Sequence, residues 1–444
     1  MKREKLLIAL FLAVTAVTLG VMIYRYADQG EQERRENKEQ SYTQVQESEE
    51  ESDATQELPP LPDINGDTYH NIFGEECTEP SRDYEYVAGT VDYYKPDKFM
   101  PEIYGEGDEY VYQPPEIQLI QDENDENNAS YSDTDRSKAI IIDTDFASDA
   151  DDPMAIRLAL CFQDMDMLEV RGIALSTTYS RSPLAVHALC KYDGYGNIPV
   201  AMDTSGNGVQ VHTNYVDVMY EWPKNRDDYE QPVKMYRRLL AESEGKVNII
   251  TLGFLQNIQN LMNSGADQYS PLTGAELIRE KVDTLYVVGG SDNGRPSFNF
   301  YWTGEKVINA AKAVTKGFPA RVVYLSSDLS YDTFCGQFYQ NEDRKGRDIM
   351  TKTLAANSQA GGVVAWDVFS MWCAVQEIHG NLENCHLSLE EGNWYVSDTG
   401  ATEWTQDGLP EHYRLVKGME GANYNEYLNG VLYKKFKTTL GETQ

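Results

Sequence analysis

The stretch KAIIIDTDFASDADDPMAIRLALCF, residues 138–162, decides the fold class and points to the site. It begins with a short apolar run, residues 139–142, whose branched side chains are typical of a buried strand. The run ends in carboxylates at Asp143, Asp145, Asp149, Asp151 and Asp152. Pro153 then opens a segment with apolar residues at helical spacing, and proline is favoured in the first helical turn. The stretch therefore predicts a strand, an acidic loop and a helix.

Carboxylates this close together repel one another strongly, and a bound cation is the usual remedy. Ca²⁺ and Mg²⁺ are hard ions that prefer oxygen ligands. The alternative interpretation is an exposed acidic turn with one Asp capping the helix. Open α/β sheets hold their ligands at the carboxyl ends of the strands, so the placement of the carboxylates after a strand favours a site.

Strand-like and helix-like segments alternate along the rest of the chain. The predicted strands are residues 139–142, 168–175, 199–201, 247–251, 284–288 and 321–325. The predicted helices are residues 153–163, 183–192, 233–242, 256–263, 303–316 and 347–357. This alternation is typical of an α/β protein with a Rossmann-like, mostly parallel sheet flanked by helices. Residues 388–444 indicate short strands, turns and aromatic side chains, and residues 138–444 are expected to form one domain.

Two segments precede this domain, and neither carries predicted chemistry. Residues 1–27 include an uncharged run, residues 6–24, that is long enough to span a bilayer. Basic residues in front of the run favour an orientation with the remainder outside the cytoplasm. Residues 28–137 indicate an acidic low-complexity linker and arm. We therefore expect a single-pass protein of the cell membrane with an extracellular catalytic domain, or a secreted protein if the first segment is a cleaved signal peptide.

The charge of the chain argues against nucleic acid as a partner. The formal net charge is −34 at pH 7, and residues 28–137 alone hold 31 acidic and 7 basic side chains. Such a surface repels phosphates. The six cysteines show no spacing typical of a zinc site.

Three later segments place polar residues after predicted strands or within apolar surroundings. LGFLQN, residues 252–257, follows one strand, and GGSDNGRPSFNF, residues 289–300, follows the next and contains Asn293 and Asn299. GGVVAWDVFSMWCA, residues 361–374, holds Asp367 in an apolar helical stretch. A buried Asp is usually paired, hydrogen-bonded or bound to a metal, whereas the alternative is a helix cap at a surface turn.

Taken in order, these segments resemble the motifs of the inosine–uridine-preferring nucleoside hydrolases. DTDFASDADDPMAI is similar to the family's aspartate signature, in its longer DTDxxxDxDD variant. TLGFLQNIQNL resembles the Gly-Pro-Leu-Thr-Asn loop, VVGGSDNGRPSFNF the Gly-Gly segment with its Phe-Asn element, and AWDVFSMWCA the late Asp segment. The resemblance covers residues 138–385 and implies the nucleoside hydrolase fold.

The resemblance also implies a metal site. Asp145, Asp152 and Asp367 would bind Ca²⁺, and the main-chain carbonyl of Leu252 would complete the ligands that the protein supplies. Asp149 is an extra acid that would lie just behind these ligands or replace one of them.

The substrate roles implied by the resemblance fall on another group of residues. Asp151 would be the general base that acts on the water held by the ion, and Asp143 would lie behind the metal ligands. Asn299 would hold a ribose hydroxyl, with Asn293 as a second substrate contact in the same segment. Trp366 would lie beside the nucleobase.

The chain also departs from the family's motifs. Ser297 stands where an acidic residue usually contacts the ribose 5′ hydroxyl. Tyr179 replaces the usual Asn after the second strand, and Phe254 replaces the Pro of the Gly-Pro loop. Phe146-Ala147 stands for the usual Pro-Gly after the second Asp. These changes bear on sugar selectivity and on the shape of the acidic loop.

The expected activity is Ca²⁺-dependent hydrolysis of the N-glycosidic bond of ribonucleosides or related N-ribosides, which gives free base and ribose. The alternative is a non-catalytic riboside-binding protein on the same fold, suggested by Ser297. A phosphatase with Asp143 as nucleophile is a third hypothesis, but no Lys/Arg phosphate clamp accompanies the loop. The expected partner is a small-molecule nucleoside or N-riboside, and the sequence leaves a homo-oligomer open.

Overall fold

The computed structural model describes residues 136–444, apart from 204–207, 212, 220–228, 293, 344, 358, 360, 407–410, 420 and 442–444. It also describes two short paired strands before this range, β1 (Tyr69–His70) and β2 (Glu76–Cys77). The predicted membrane segment and nearly all of the predicted linker lie outside the described residues. Within them, no helix is long and apolar enough to cross a bilayer.

The frame of the described part is an eight-stranded sheet. Its strands are β3 (Ala139–Thr144), β4 (Glu169–Leu175), β5 (Val200–Met202), β6 (Val247–Thr251), β7 (Val282–Val288), β8 (Arg321–Leu325), β11 (Leu387–Glu391) and β14 (His412–Lys417). Outside this sheet, β9 (Phe334–Cys335) and β10 (Val363–Val364) form a short antiparallel pair. The order of the eight strands across the sheet is β11-β14-β8-β7-β6-β3-β4-β5. All neighbouring pairs are parallel except β11 and β14. The predicted mostly parallel sheet is confirmed.

Helices cover both faces of this sheet. They are α1 (Asp151–Asp164), α2 (Ser182–Tyr192), α3 (Asn214–Met219), α4 (Pro232–Glu242), α5 (Gln256–Met262), α6 (Gly274–Lys281), α7 (Phe298–Tyr301), α8 (Glu305–Gly317), α9 (Phe338–Glu342), α10 (Ile349–Ala356), α11 (Trp366–Ile378) and α12 (Ala422–Thr439). Successive side chains of a strand point to opposite faces. Accordingly Ile140 and Ile142 join the core beneath α1 and α11, whereas Ile141 joins the core beneath α4 and α5.

Each predicted strand and helix has a counterpart in the structure, most with bounds that differ by a few residues, whereas α3, α6 and α9 were not predicted. Strands β6 and β8 have the predicted bounds. Helix α1 begins at Asp151, two residues before the predicted start at Pro153, so the paired carboxylates lie in its first turn. The first-turn N–H groups and the helix dipole favour negative charge there. The predicted helix 303–316 corresponds to α8, and the short α7 precedes it.

The description of residues 388–444 as strands and turns was incomplete. Two strands of this region belong to the main sheet, and two others form a hairpin, β12 (Asn393–Val396) and β13 (Thr402–Thr405). The region then ends in the 18-residue helix α12. Its apolar residues Leu428, Leu432 and Phe436 are fully buried against the core that also contains α1. The C-terminal region is therefore an integral part of the domain.

A candidate metal centre at the carboxyl edge of the sheet

The candidate site lies where β3 ends and two helices begin. Asp145 directly follows β3, Asp152 lies in the first turn of α1, and Asp367 lies in the first turn of α11. Each of these buried residues offers a carboxylate oxygen, and the three oxygens lie within 4.8 Å of one another. The structure thus brings Asp367 next to two carboxylates that precede it by more than 200 positions in the sequence.

The electrostatics of this cluster favour a bound cation. Burial, followed by repulsion from neighbouring carboxylates, raises the pKa of Asp145 and Asp367 well above the usual value. Burial also raises the pKa of Asp152 to about 7, against two hydroxyl donors that lower it. A divalent cation would relieve both the desolvation and the repulsion, and the donor set consists entirely of hard oxygen atoms. These three residues fit Ca²⁺ or Mg²⁺.

Two hydroxyls fix the orientation of the Asp152 carboxylate. Thr144 Oγ1, at the end of β3, donates to Asp152 Oδ1. Ser148 Oγ, within the acidic loop, donates to Asp152 Oδ2 at 2.9 Å. The acidic loop and the helix are therefore tied to each other at the carboxylate, which limits the positions that this candidate ligand can take.

Asp151 lies beside the cluster but outside it. Its Oδ2 accepts a hydrogen bond from the main-chain N–H of Asp367 at 2.9 Å, so one oxygen is fixed at the start of α11. Burial raises the pKa of Asp151 well above the usual value, and repulsion from Asp149 and Asp367 raises it further. Asp149 is half-buried, and its Oδ1 accepts from the main-chain N–H of Asp151 at 3.1 Å. Asp149 does not belong to the three-carboxylate group.

Asp143 faces away from the cluster, into the sheet–helix interface. Its Oδ2 accepts from the Tyr236 hydroxyl at 2.7 Å and from Asn257 Nδ2 at 3.0 Å. Burial raises its pKa to about 7. Its main-chain carbonyl accepts from the N–H of Leu252 at 2.7 Å, which joins β3 to the turn after β6. Nothing in the sequence pattern singled out Tyr236, because it lies in a helix whose face toward the sheet reads simply as apolar.

The turn after β6 places the carbonyl of Leu252 beside Asn299. The buried Asn299 donates through Nδ2 to the carbonyl oxygens of Leu252, at 2.7 Å, and of Val288, at 3.1 Å. A carbonyl has two lone pairs, so this bond leaves Leu252 able to bind an ion as well. Gly253 allows the turn to approach the acidic loop, since a Cβ at Gly253 would lie only 2.4 Å from the main-chain nitrogen of Asp145. The ligand role of Leu252 and the sugar role of Asn299 stay predictions.

Aromatic side chains line the rim around these groups. Trp366 immediately precedes Asp367, and its ring meets the exposed ring of Tyr331 edge to face at 6.4 Å. On the side of Asn299, Phe298 stacks on Trp302 at 4.9 Å, and both are more than one-third exposed. Of these aromatic residues, only Trp366 was predicted from the sequence. The Phe-x-x-x-Trp spacing around Asn299 could have indicated Phe298 and Trp302 as well. The predicted substrate contact Asn293 lies outside the described residues.

No protein-family model matches the chain, and no curated protein does. Solved structures do match. They include the plant nucleoside hydrolase PpNRh1, at 17% identity over 66% of this chain and 98% of that one, with a TM-score of 0.47. The inosine-uridine preferring nucleoside hydrolase from Bacillus anthracis matches at 16% identity over 65% and 97%, with a TM-score of 0.48. The type III effector protein XopQ, solved with adenosine diphosphate ribose, matches at 12% identity over 69% and 94%, with a TM-score of 0.50.

At these identities the similarity is one of fold. The similarity to XopQ covers 94% of that chain and 69% of this one. This similarity supports the predicted α/β fold, whereas membership of the nucleoside hydrolase family stays a prediction. The longer form of the aspartate signature, the choice of ion and the roles of individual residues stay predictions.

Proposed function

We propose that this chain hydrolyses the N-glycosidic bond of ribonucleosides or related N-ribosides and uses Ca²⁺ to do so. The observation that carries the proposal is the buried group of Asp145, Asp152 and Asp367, placed at the carboxyl edge of a parallel sheet with Asp151 and Asn299 beside it. This edge is where open α/β sheets hold their ligands. The nucleoside hydrolases among the matched structures support the same class of reaction.

The ion would be held by Asp145, Asp152 and Asp367, with the Leu252 carbonyl as a further ligand. When bound, such an ion orients a water molecule, lowers its pKa and offers coordination to a ribose diol. In the reaction the water oxygen bonds to the anomeric carbon while the C–N bond breaks and its electron pair leaves with the base. Asp151 accepts the proton from the water, and this kind of proton transfer typically contributes about 10²–10⁴ in rate.

The remaining groups position the sugar and the base. The Asn299 amide nitrogen is already bound to two carbonyls, so its Oδ1 is the atom that would accept a hydrogen bond from a ribose hydroxyl. Trp366 and the stacked pair of Phe298 and Trp302 offer flat apolar surfaces on the rim. Such rings suit an aromatic leaving group. The adenosine diphosphate ribose bound by XopQ also contains ribose, which agrees with ribose as the recognised sugar.

Two substitutions test the division of roles. Asp151→Asn should keep Ca²⁺ binding, measured by isothermal titration calorimetry, while kcat for nucleoside hydrolysis falls by about 10² or more. Asp145→Asn should weaken Ca²⁺ binding as well as activity, because it removes a ligand. If Asp151→Asn keeps its kcat while Asp145→Asn loses kcat without losing the ion, the base is Asp145 and the assignment of Asp151 is wrong.

The second candidate function is a non-catalytic riboside-binding protein on the same fold. The observation that favours it is Ser297, a small, buried, uncharged residue at the start of α7, where the family's motif has an acid. A binder would take up a nucleoside with a measurable Kd and release no ribose over hours. Turnover by the wild-type protein would exclude this alternative.

We propose further that the chain works outside the cytoplasm, attached through residues 1–27. The support is the uncharged run of residues 6–24 with basic residues before it. In fractionated cells, the full-length protein should stay with the membranes after an alkaline carbonate wash, or appear in the medium if the segment is cleaved. Recovery of intact protein in the cytoplasmic fraction would contradict the proposal.

A further inference from the structure

The β12–β13 hairpin packs against the segment that connects β7 to Asn299. Its principal contact is the buried Thr402, whose Oγ1 accepts from the main-chain N–H of Ser291 at 2.8 Å and donates to the carbonyl of Ser291 at 3.0 Å. One hydroxyl thus satisfies both main-chain groups of a single residue. The sequence motifs imply no role for this hairpin.

The tip of the hairpin also contacts residues on either side of α7. Ala401 pairs with Pro296 in an antiparallel bridge just before the helix. Gly400 lies against Tyr301 at the end of the helix, where an added Cβ would come within 2.3 Å of the Tyr301 Cβ. Since α7 is a single turn that carries Asn299, the hairpin tip touches both ends of the element that holds this side chain.

Residues 290 and 291, at the start of the segment after β7, are also enclosed by neighbouring side chains. Gly290 has a positive φ of 90° and lies so close to Trp394 of β12 that a Cβ would be 2.3 Å from the indole ring. From the other side, Asp328 Oδ2 accepts from the hydroxyl of Ser291 at 3.0 Å. Ser291 is therefore fixed between the turn after β8 and the hairpin.

We propose that Thr402 is a positioning residue for Asn299. By fixing Ser291, it helps to hold α7 where Asn299 reaches the carbonyls of Leu252 and Val288. A shift of this segment would move the Asn299 amide off both carbonyls, because hydrogen bonds weaken steeply with distance and angle. The kinetic consequence rests on the proposed function, whereas the structural consequence does not.

The structural test compares three variants by hydrogen exchange and mass spectrometry of the full chain. Thr402→Val keeps the shape but removes both hydrogen bonds to Ser291, and Thr402→Ser restores the hydroxyl. The matched control is Thr405→Val, whose Oγ1 bonds to Asn393 within the hairpin at 3.3 Å. In Thr402→Val the amides of Ser291 and of α7 should exchange about tenfold faster than in wild type. Thr402→Ser and Thr405→Val should match wild type.

The kinetic test uses the same variants. KM for a nucleoside should rise about tenfold in Thr402→Val while kcat stays within about threefold, because a loosened Asn299 weakens substrate binding more than proton transfer. Thr402→Ser should recover the wild-type KM. If Thr402→Val proves too unstable to purify, Thr402→Ala removes the hydroxyl without adding bulk and takes its place.

Several results would overturn the proposal. Unchanged exchange at Ser291 and α7 in Thr402→Val would show that the hydroxyl does not hold the segment. An equal effect of Thr405→Val would show a general loosening of the hairpin, and faster exchange with an unchanged KM would show that Asn299 is not positioned by it. If wild type hydrolyses no nucleoside, the proposed function fails, and the exchange comparison alone then decides the role of Thr402.

Discussion

The three clustered carboxylates lower the stability of the fold when no cation is bound, and they are also the groups that would bind one. Without a cation, Asp145, Asp152 and Asp367 repel one another in a buried site, and their pKa values rise accordingly. Binding of the proposed Ca²⁺ to the folded chain should add roughly 2.7 kcal/mol to the free energy of unfolding at 100 times its Kd. Asp367→Asn should abolish this gain, yet in EDTA it should be more stable than wild type because one repelling charge is gone.

Denaturant unfolding with Ca²⁺ and with EDTA measures both effects. Asp166→Asn is the matched control, since the Asp166 side chain is fully exposed and its ion pair is with the exposed Lys138, at 3.5 Å. It should keep the wild-type response to Ca²⁺. A Ca²⁺ response that survives Asp367→Asn unchanged would place the ion elsewhere.

Ala147 carries backbone strain next to the candidate ligands. It adopts a φ of 94°, a region that favours glycine, and its N–H is held by the Tyr215 hydroxyl at 2.7 Å. Ala147→Gly should raise the free energy of unfolding by up to about 1 kcal/mol, because the relief of strain exceeds the added entropy of the unfolded chain. Ala150→Gly, at an ordinary φ of −90° in the same loop, should lower it instead. The same sign for both substitutions in thermal unfolding would show that the strain at Ala147 is negligible.

Helix α1, which carries Asp151 and Asp152, is held in place by a buried ion cluster around its Arg157. Arg157 forms a bidentate pair with Asp348, at 2.6 and 2.9 Å, and a third contact with Asp193 at 3.0 Å. All three side chains are fully buried. Arg157→Met should cost about 3–5 kcal/mol of stability, because it leaves two carboxylates buried without their counter-ion.

A second variant separates lost charge from lost packing. Adding Asp193→Asn and Asp348→Asn to Arg157→Met should recover part of the loss in denaturant unfolding. Arg171→Met, which breaks an exposed pair with Glu169, should change stability by less than about 1 kcal/mol. If the triple variant is no more stable than Arg157→Met, the cost comes from packing around the arginine rather than from unpaired charge.

The alternating elements of the sheet could be predicted because each has a local signature. β6 and β8 are short segments rich in β-branched residues, and helices such as α4 have a proline in their first turn. The place of β14 could not be predicted in this way, since its register against β8 depends on pairing between residues about 90 positions apart. Helix α12 was missed because its Asn, Tyr and Gly residues are weak helix formers, and its packing against the core compensates for them.

The candidate site shows the same division. Asp145, Asp152 and Asp367 could be found by motif, and the structure brings them together. The side chains that support the site could not be predicted. The hydroxyl of Tyr236 contacts Asp143, and that of Thr402 contacts Ser291, and both contacts join elements that are distant in the sequence. Such contacts leave no periodic or spacing signal in one sequence.

The acid stability of the whole domain should depend in part on His412, at the start of β14. Burial lowers its pKa to about 4, whereas an unfolded His titrates near 6.5. Between these two values the unfolded state binds more protons, so stability falls as the pH drops from 6.5 towards 4. His412→Gln should show a shallower fall over this range in unfolding experiments. His386→Asn, at an exposed position, should follow wild type, and parallel curves for wild type and His412→Gln would refute the assignment.

In the described domain, the buried carboxylates lie at the edge of the sheet, and the β12–β13 hairpin packs beside Asn299; the proposed reaction involves both. The most direct test is the release of free ribose from inosine and uridine by the purified full-length protein, measured with Ca²⁺ and with EDTA. We predict ribose release that requires Ca²⁺ and is lost in Asp151→Asn. Equal release in EDTA, or none from either nucleoside while Ca²⁺ binds tightly, would contradict the proposed Ca²⁺-dependent nucleoside hydrolysis.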